Sequence, residues 1–211
     1  MRRTKEEAEI TRQKIIEAGL RLFSRQGVSA TSLVEIANST GVSRGAVYWH
    51  FKNKWELFEA ILSRYSARID ELAGAGQRES ESDPLGRLSE LLQFLFVNVA
   101  TQEDFRNIFK IILQERFLRR EQEVPERIRE LIDKSLEDKI RTLENARRKG
   151  QLPADLDVQA GAWVIHMMVE GYVQNWLMDP GEYDLSEQSG RFVDTIFCVL
   201  RHSLKDVERN N

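Results

Sequence analysis

Arg44, Gly45, Ala46, Tyr48, Trp49 and His50 crowd into one short stretch of this chain. A cation that can fork onto a base edge, two aromatic side chains and an imidazole, set around a glycine, suit a surface that meets double-stranded DNA. Glycine inside a helix costs about 1 kcal/mol against alanine, and its natural use here is to let the backbone approach DNA closely. An ordinary helical hairpin with exposed aromatics is the other reading. It leaves Tyr48, Trp49 and His50 unexplained, because three large side chains on so short a helix cannot all be buried.

Such residues need a frame, and the neighbouring sequence supplies it. Leu33, Ile36, Ala37, Val42 and Val47 have the spacing of a small core between two helices. Gly41 stands where the chain must turn with positive φ, and Ser43 can cap the second helix. Residues 32–51 therefore read as a helix-turn-helix whose second helix faces outward. The formal net charge of −3 argues against DNA, but its distribution does not. Residues 1–60 carry ten Lys and Arg against seven Asp and Glu, and the remainder carries 21 against 27. The motif end is the basic end.

Helical periodicity dominates the rest. Ile15, Gly19, Leu22 and Phe23 form one stripe over residues 5–26, closed by Gly27. A longer pattern runs over 54–73 and fades at Ala73-Gly74-Ala75-Gly76, so 74–83 reads as an exposed linker. Asp83-Pro84 opens a second block with an N-cap and an N1 proline. Apolar periods follow to Val99, over 105–117, 125–150, 157–178 and 186–204, and the four prolines (84, 125, 153, 180) fall on the boundaries between helices. The expected fold is all-α. Three N-terminal helices form a DNA-binding domain (1–53), a fourth (54–73) connects, and about five more form a C-terminal bundle (84–211).

Thr31-Ser32-Leu33, Ile36-Ala37, the run from Gly41 to Phe51 (GVSRGAVYWHF), Lys54 to Leu57, and upstream Thr11-Arg12 with AGLRLFSRQG resemble the signature of the TetR family of one-component repressors. The YWHF form, with QNWLMDPGEYDL at 174–185, is most similar to the AcrR-type branch that controls multidrug efflux pumps. The resemblance implies that Arg44 contacts a base edge, that Tyr48 and His50 bond phosphate oxygens, and that Trp49 packs on the sugar-phosphate wall. Thr31 and Ser32 at the start of the first motif helix, and Lys54 at the start of the fourth, would meet backbone phosphates. Ser43, Gly45, Ala46 and Lys52 complete the expected contact set. Arg2, Arg3 and Lys5 form an arm that either reaches DNA or is merely solvated.

Two demands fall on the C-terminal half. One recognition helix reads only a few base pairs, so a homodimer is expected to read two half-sites. The apolar helices 157–178 and 186–204 supply its surface through Gly161, Gly171, Asn175, Phe192, Ile196, Phe197 and Leu200. A sensing pocket is expected from the aromatic surplus. Its candidates are Leu62, Ser66, Phe94, Phe105, Phe109, Glu115, Phe117, Trp163, His166, Met167 and Glu170, with Tyr172 and Trp176 in the same supply. A buried carboxylate is costly without a partner. For Glu170 that partner is either a cationic drug or a hydrogen bond to another helix or subunit.

No nucleophile-base set, phosphate loop or metal-ligand spacing is present, so neither enzyme activity nor a cofactor is expected. The longest apolar runs fall far short of the roughly 20 residues that span a bilayer. No apolar stretch follows the basic N-terminus as in a secretory signal. The lone Cys198 excludes an intramolecular disulfide and fits a reducing cytoplasm. The expectation is a cytoplasmic repressor of a drug-efflux operon, released from a palindromic operator by a hydrophobic or cationic small molecule that shifts helix 54–73. A metabolite-sensing repressor or activator of the same family is the alternative, and a helical interaction protein without DNA the more distant one.

Overall fold

The computed structural model describes residues 5–117 and 125–202. Among them are nine helices: α1 (Lys5–Gln26), α2 (Leu33–Thr40), α3 (Arg44–His50), α4 (Lys54–Gln77), α5 (Pro84–Thr101), α6 (Glu103–Phe117), α7 (Glu126–Arg148), α8 (Val158–Met178) and α9 (Leu185–His202). This is the all-α order the periodicity predicts. The punctuation is local. Gly27 closes α1 at φ +82° and Gly41 closes α2 at φ +69°, both in the left-handed region that glycine enters without strain. The Asp83 carboxylate accepts from the Gly86 N–H at 2.9 Å, and Asp157 accepts from the Ala160 N–H at 2.9 Å, fixing the starts of α5 and α8.

The helices form two packed units. The first holds α1 to α3, α4 as far as residue 67, and α6. Ile15, Ile16, Phe23, Ile36, Val47, Phe51, Leu57, Phe58, Ile61 and Ile111 are fully buried in it, and each such side chain contributes about 1.5–3 kcal/mol. A Cβ on Gly19 would stand 2.8 Å from Leu57, so α1 needs glycine where it crosses α4. The presence of α6 in this unit is not readable from the sequence grouping, which assigned residues 84–211 to one domain. Its apolar face, with Phe105, Ile108 and Ile111, packs within this unit, largely against α1.

The second unit holds the end of α4, α5, most of α7, α8 and α9. The α5–α9 pairing dominates, through Leu88, Leu92, Phe96 and Val99 on one helix and Val193, Ile196 and Leu200 on the other. The Tyr172 and Phe192 rings stack with centroids 4.0 Å apart, and Phe96 meets both edge-on at 6.0 and 5.8 Å. The Trp176 Nε1–H donates to the Tyr183 carbonyl at 3.1 Å, and the Tyr183 hydroxyl donates to the Tyr172 carbonyl at 3.0 Å. Part of the aromatic surplus thus closes the α8–α9 turn.

The 74–83 stretch is not a free linker in its first part. α4 continues through Gly74 and Gly76 to Gln77. A Cβ on Gly76 would lie 2.9 Å from the Thr142 methyl, so glycine here serves contact with α7. The Asn145 amide donates to the carbonyls of Gly76 and Arg78 at 3.0 and 2.8 Å. Those bonds satisfy backbone acceptors that a helix end leaves open.

Candidate nucleic-acid interface

The two motif helices are built as two capped segments. Ser32 makes a full capping box with Glu35: its hydroxyl accepts from the Glu35 N–H at 3.2 Å, and its own N–H donates to the Glu35 carboxylate at 2.7 Å. Those bonds from Ser32 hold the Glu35 carboxyl below the usual carboxylate range. Ser43 caps α3 by accepting from the Ala46 N–H at 3.2 Å. Val47 is fully buried and pins α3 to the core. Arg12 lies over the Phe51 ring at 5.4 Å, tying α1 to the end of α3.

What remains of α3 faces solvent. Arg44 and Gly45 are exposed, Tyr48 is 52% exposed and Trp49 74%. Trp49 holds its ring edge-to-face with His50 at 4.6 Å. A Cβ placed on Gly45 would meet nothing within 4 Å. The protein's own packing therefore gives no reason for glycine there, and a close external backbone gives one. An outward arginine, two exposed aromatics and a bare stretch of helix backbone are the makings of a major-groove reader.

Residues 15–61 match the pattern described as bacterial regulatory proteins, tetR family, and residues 83–202 match the MAATS-type transcriptional repressor, C-terminal region. The chain belongs to the TetR family. Among its relatives, the transcriptional regulator AcrR of Shigella flexneri is 38% identical, over 91% of this chain and 90% of that protein. The AcrR-type resemblance read from the YWHF run holds on this comparison. Of solved structures, SmeT in complex with triclosan superposes with a TM-score of 0.77 at 26% identity, over 90% of this chain and 91% of that one. SmeT is the repressor of the Stenotrophomonas maltophilia multidrug efflux pump SmeDEF. NalD, the secondary repressor of the MexAB-OprM multidrug efflux pump in Pseudomonas aeruginosa, gives a TM-score of 0.72 at 30% identity, over 94% and 100%.

Within the TetR-type reader, one expected contact residue needs revision. Thr31 is buried, its hydroxyl donates to the Gly27 carbonyl at 2.7 Å and its N–H to the Val28 carbonyl at 3.2 Å. It shapes the α1–α2 loop and leaves the phosphate-contact set. The Lys54 ammonium donates to the Ser29 carbonyl, which positions the side chain before any DNA is present. Lys52 is exposed, and its backbone N–H donates to Glu56 at 2.6 Å. Ser32 is exposed and Ala46 partly so. Arg2 and Arg3 lie outside the described residues; Lys5, the first residue of α1, is exposed.

The expected sensing residues divide between the two units. Leu62, Ser66, Phe105, Phe109 and Glu115 belong to the first, and Phe94, Trp163, His166, Met167 and Glu170 to the second; the Phe117 side chain lies outside the described residues. Glu115 is not a bare counter-ion. It accepts from the Ser29 N–H at 3.0 Å and the Ser29 hydroxyl at 2.6 Å. Glu170 meets His166 one turn away on the same helix at 3.3 Å, a partner the interhelical alternative did not include. Trp163 and Met167 are 47% and 57% exposed, so they lie on an outer face of α8.

The expected dimer residues divide too. Ile196, Phe197 and Leu200 are buried within the chain itself, and Phe192 sits in the aromatic cluster. A Cβ on Gly161 would lie 3.1 Å from Leu143 and 3.2 Å from Leu200, so that glycine serves packing within the chain. Gly171 and Asn175 are exposed. They continue a stripe from Trp163 and Met167 that ends at Met178, which is 80% exposed. Sequence periodicity missed Met178.

Proposed function

We propose that this chain is a homodimeric, cytoplasmic repressor of a multidrug efflux operon, released from a palindromic operator by a hydrophobic or cationic small molecule. The observation that carries the reading is the outward-facing α3, with Arg44, Gly45, Tyr48 and Trp49 exposed. It sits in a chain that is 38% identical to AcrR over nine-tenths of its length and shares the fold of SmeT and NalD, repressors of efflux pumps. No helix among the described residues is long and apolar enough to cross a membrane.

Arg44 reads a base edge, Tyr48, Trp49 and His50 grip the backbone, and Ser32, Lys52 and Lys54 meet flanking phosphates. The α8 stripe of Trp163, Met167, Gly171, Asn175 and Met178 pairs two copies, an apolar face that monomers rarely leave open. The ligand site draws on Phe94, His166 and Glu170 of the second unit. A ligand releases DNA only through differential affinity for the two states of the protein.

The test uses a duplex selected by the wild-type protein from a randomised library, with a scrambled duplex as control. Arg44→Ala is expected to lose about 1–3 kcal/mol of discrimination between them. Triclosan and a planar cationic dye are expected to raise the melting temperature and release the selected duplex in a gel-shift titration. Undiminished discrimination in Arg44→Ala removes the base-edge role, and a complex indifferent to every probe removes the drug-sensing one.

A further inference from the structure

Glu115 is a buried carboxylate on α6, 86 residues away from the loop it holds. Both of its oxygens meet Ser29: Oε1 accepts the backbone N–H at 3.0 Å and Oε2 accepts the hydroxyl at 2.6 Å. The loop is shaped to admit it. Gly27 takes φ +82°, and a Cβ there would lie 2.6 Å from Glu115 Oε1. The adjacent Gln114 amide donates to the Ser24 carbonyl near the end of α1 at 3.2 Å. Two consecutive residues of α6 therefore fasten the α1–α2 junction.

That junction leads straight into the DNA-facing surface. Three residues after Ser29 comes Ser32, the N-cap of α2, and the Ser29 carbonyl accepts from the Lys54 ammonium at the start of α4. Ser29 thus has its N–H and hydroxyl on α6 and its carbonyl on α4. A carboxylate accepting a backbone N–H and a hydroxyl is a strong, directional clamp, and inside a protein such a clamp has few alternative geometries. The start of α2 and the Lys54 side chain are both set from this one residue.

We propose that Glu115 is a positioning residue for operator recognition: through Ser29 it sets α2 and Lys54, and with them the angle at which α3 meets DNA. The inference rests on the reading that α3 contacts DNA. Glu115 touches no DNA itself, so its removal should spare general attraction to phosphates and damage discrimination.

The experiment compares full-length variants on the selected and scrambled duplexes over a series of salt concentrations, with circular dichroism confirming folding. Glu115→Ala is expected to lose about tenfold in affinity for the selected duplex, the scale of one charge-assisted bond. Its affinity for the scrambled duplex should fall far less, and its salt slope should change by no more than the one contact from Lys54, since the other phosphate contacts remain. Glu115→Gln keeps an acceptor for the Ser29 N–H and a polar group facing the hydroxyl, and should restore most of the discrimination. Ser29→Ala should fall between, and adding it to Glu115→Ala should cost nothing further, as expected for one shared interaction. Equal weakening on both duplexes, or losses that multiply in the double variant, overturns the inference. If Glu115→Ala does not fold, Ser29→Ala decides: full discrimination there overturns it. Should Arg44→Ala lose discrimination while Glu115→Ala keeps it, the reader stands and the role of Glu115 falls. A wild-type protein that selects no duplex removes the reader itself.

Discussion

Tyr48 and Trp49 on α3 and Tyr172 and Trp176 on α8 are the same two residue types in opposite surroundings. On α3 the rings stand in solvent, 52% and 74% exposed. On α8 one ring stacks on Phe192 at 4.0 Å, and the other is buried with its N–H on the Tyr183 carbonyl. The second pair contributes to the stability of the protein, which should be nearly blind to the first. An aromatic with a packed ring and a satisfied polar tip contributes to the fold. One held out on a short, rigid, capped helix is kept for something outside it.

The largest break of that comparison is a pair of truncations. Phe96 is fully buried with its ring edge-on to the stacked Tyr172 and Phe192, so Phe96→Ala should cost about 3–5 kcal/mol of stability. Trp49→Ala should change stability by no more than about 0.5 kcal/mol, yet weaken binding to the selected duplex. Urea denaturation and a gel shift on both variants check the pair. A Trp49 variant that melts like the Phe96 variant would mean that α3 packs where it is taken to read.

The same comparison explains what the sequence discloses. The reader is nearly all legible because its parts are contiguous: the caps Ser32 and Ser43, the turn at Gly41 and the pin at Val47 lie within one short run. Its exceptions are long-range. Nothing near Ser29 announces a carboxylate from α6, although Glu115 does stand out among apolar neighbours. Thr31 has the residue type of a phosphate ligand, and only its burial shows that its hydroxyl turns inward. α8 was the least legible element, being apolar nearly all round, since such a helix does not say which face is outermost. Trp163 and Met167, expected in a pocket, stand exposed, while Gly161, expected at a dimer face, packs inside. The two glycines at 74 and 76 read as a break. The α7 side chains that hold that end of α4 lie more than 60 residues further along the chain.

A second test probes charge in the C-terminal unit, where α3 has no counterpart. Burial pushes the Lys139 ammonium down to about 8, against the opposing pull of Asp138 and Glu170. Its amine donates to the Ser135 carbonyl at 3.0 Å. A lysine with a depressed folded-state pKa costs stability while charged. That cost is full below pH 8 and is relieved as pH rises towards the unfolded value of about 10.4. Lys139→Met should therefore stabilise the protein by about 1–3 kcal/mol at pH 7. The advantage over wild type should shrink steadily towards pH 10. Urea midpoints of the two proteins at both pH values give the difference, and an advantage that persists at pH 10 would mean that packing, not charge, is its source.

The smallest effect separates two roles of one residue in the reader. Ser32 caps α2 and is also proposed to meet a phosphate, so Ser32→Ala should lose about 1 kcal/mol of stability together with some DNA affinity. That variant alone cannot say which loss causes the other. Ser32→Asp can: aspartate caps a helix as well as serine does, but its carboxylate would face that of Glu35, which the Ser32 hydroxyl meets at 2.8 Å, so stability should fall no further than in the alanine variant. Its negative charge would then face the phosphate and lower affinity by more than the alanine variant, with an effect that fades as salt rises. If Ser32→Asp binds the selected duplex as wild type does, Ser32 belongs with Thr31, as a residue that builds the reader without touching what it reads.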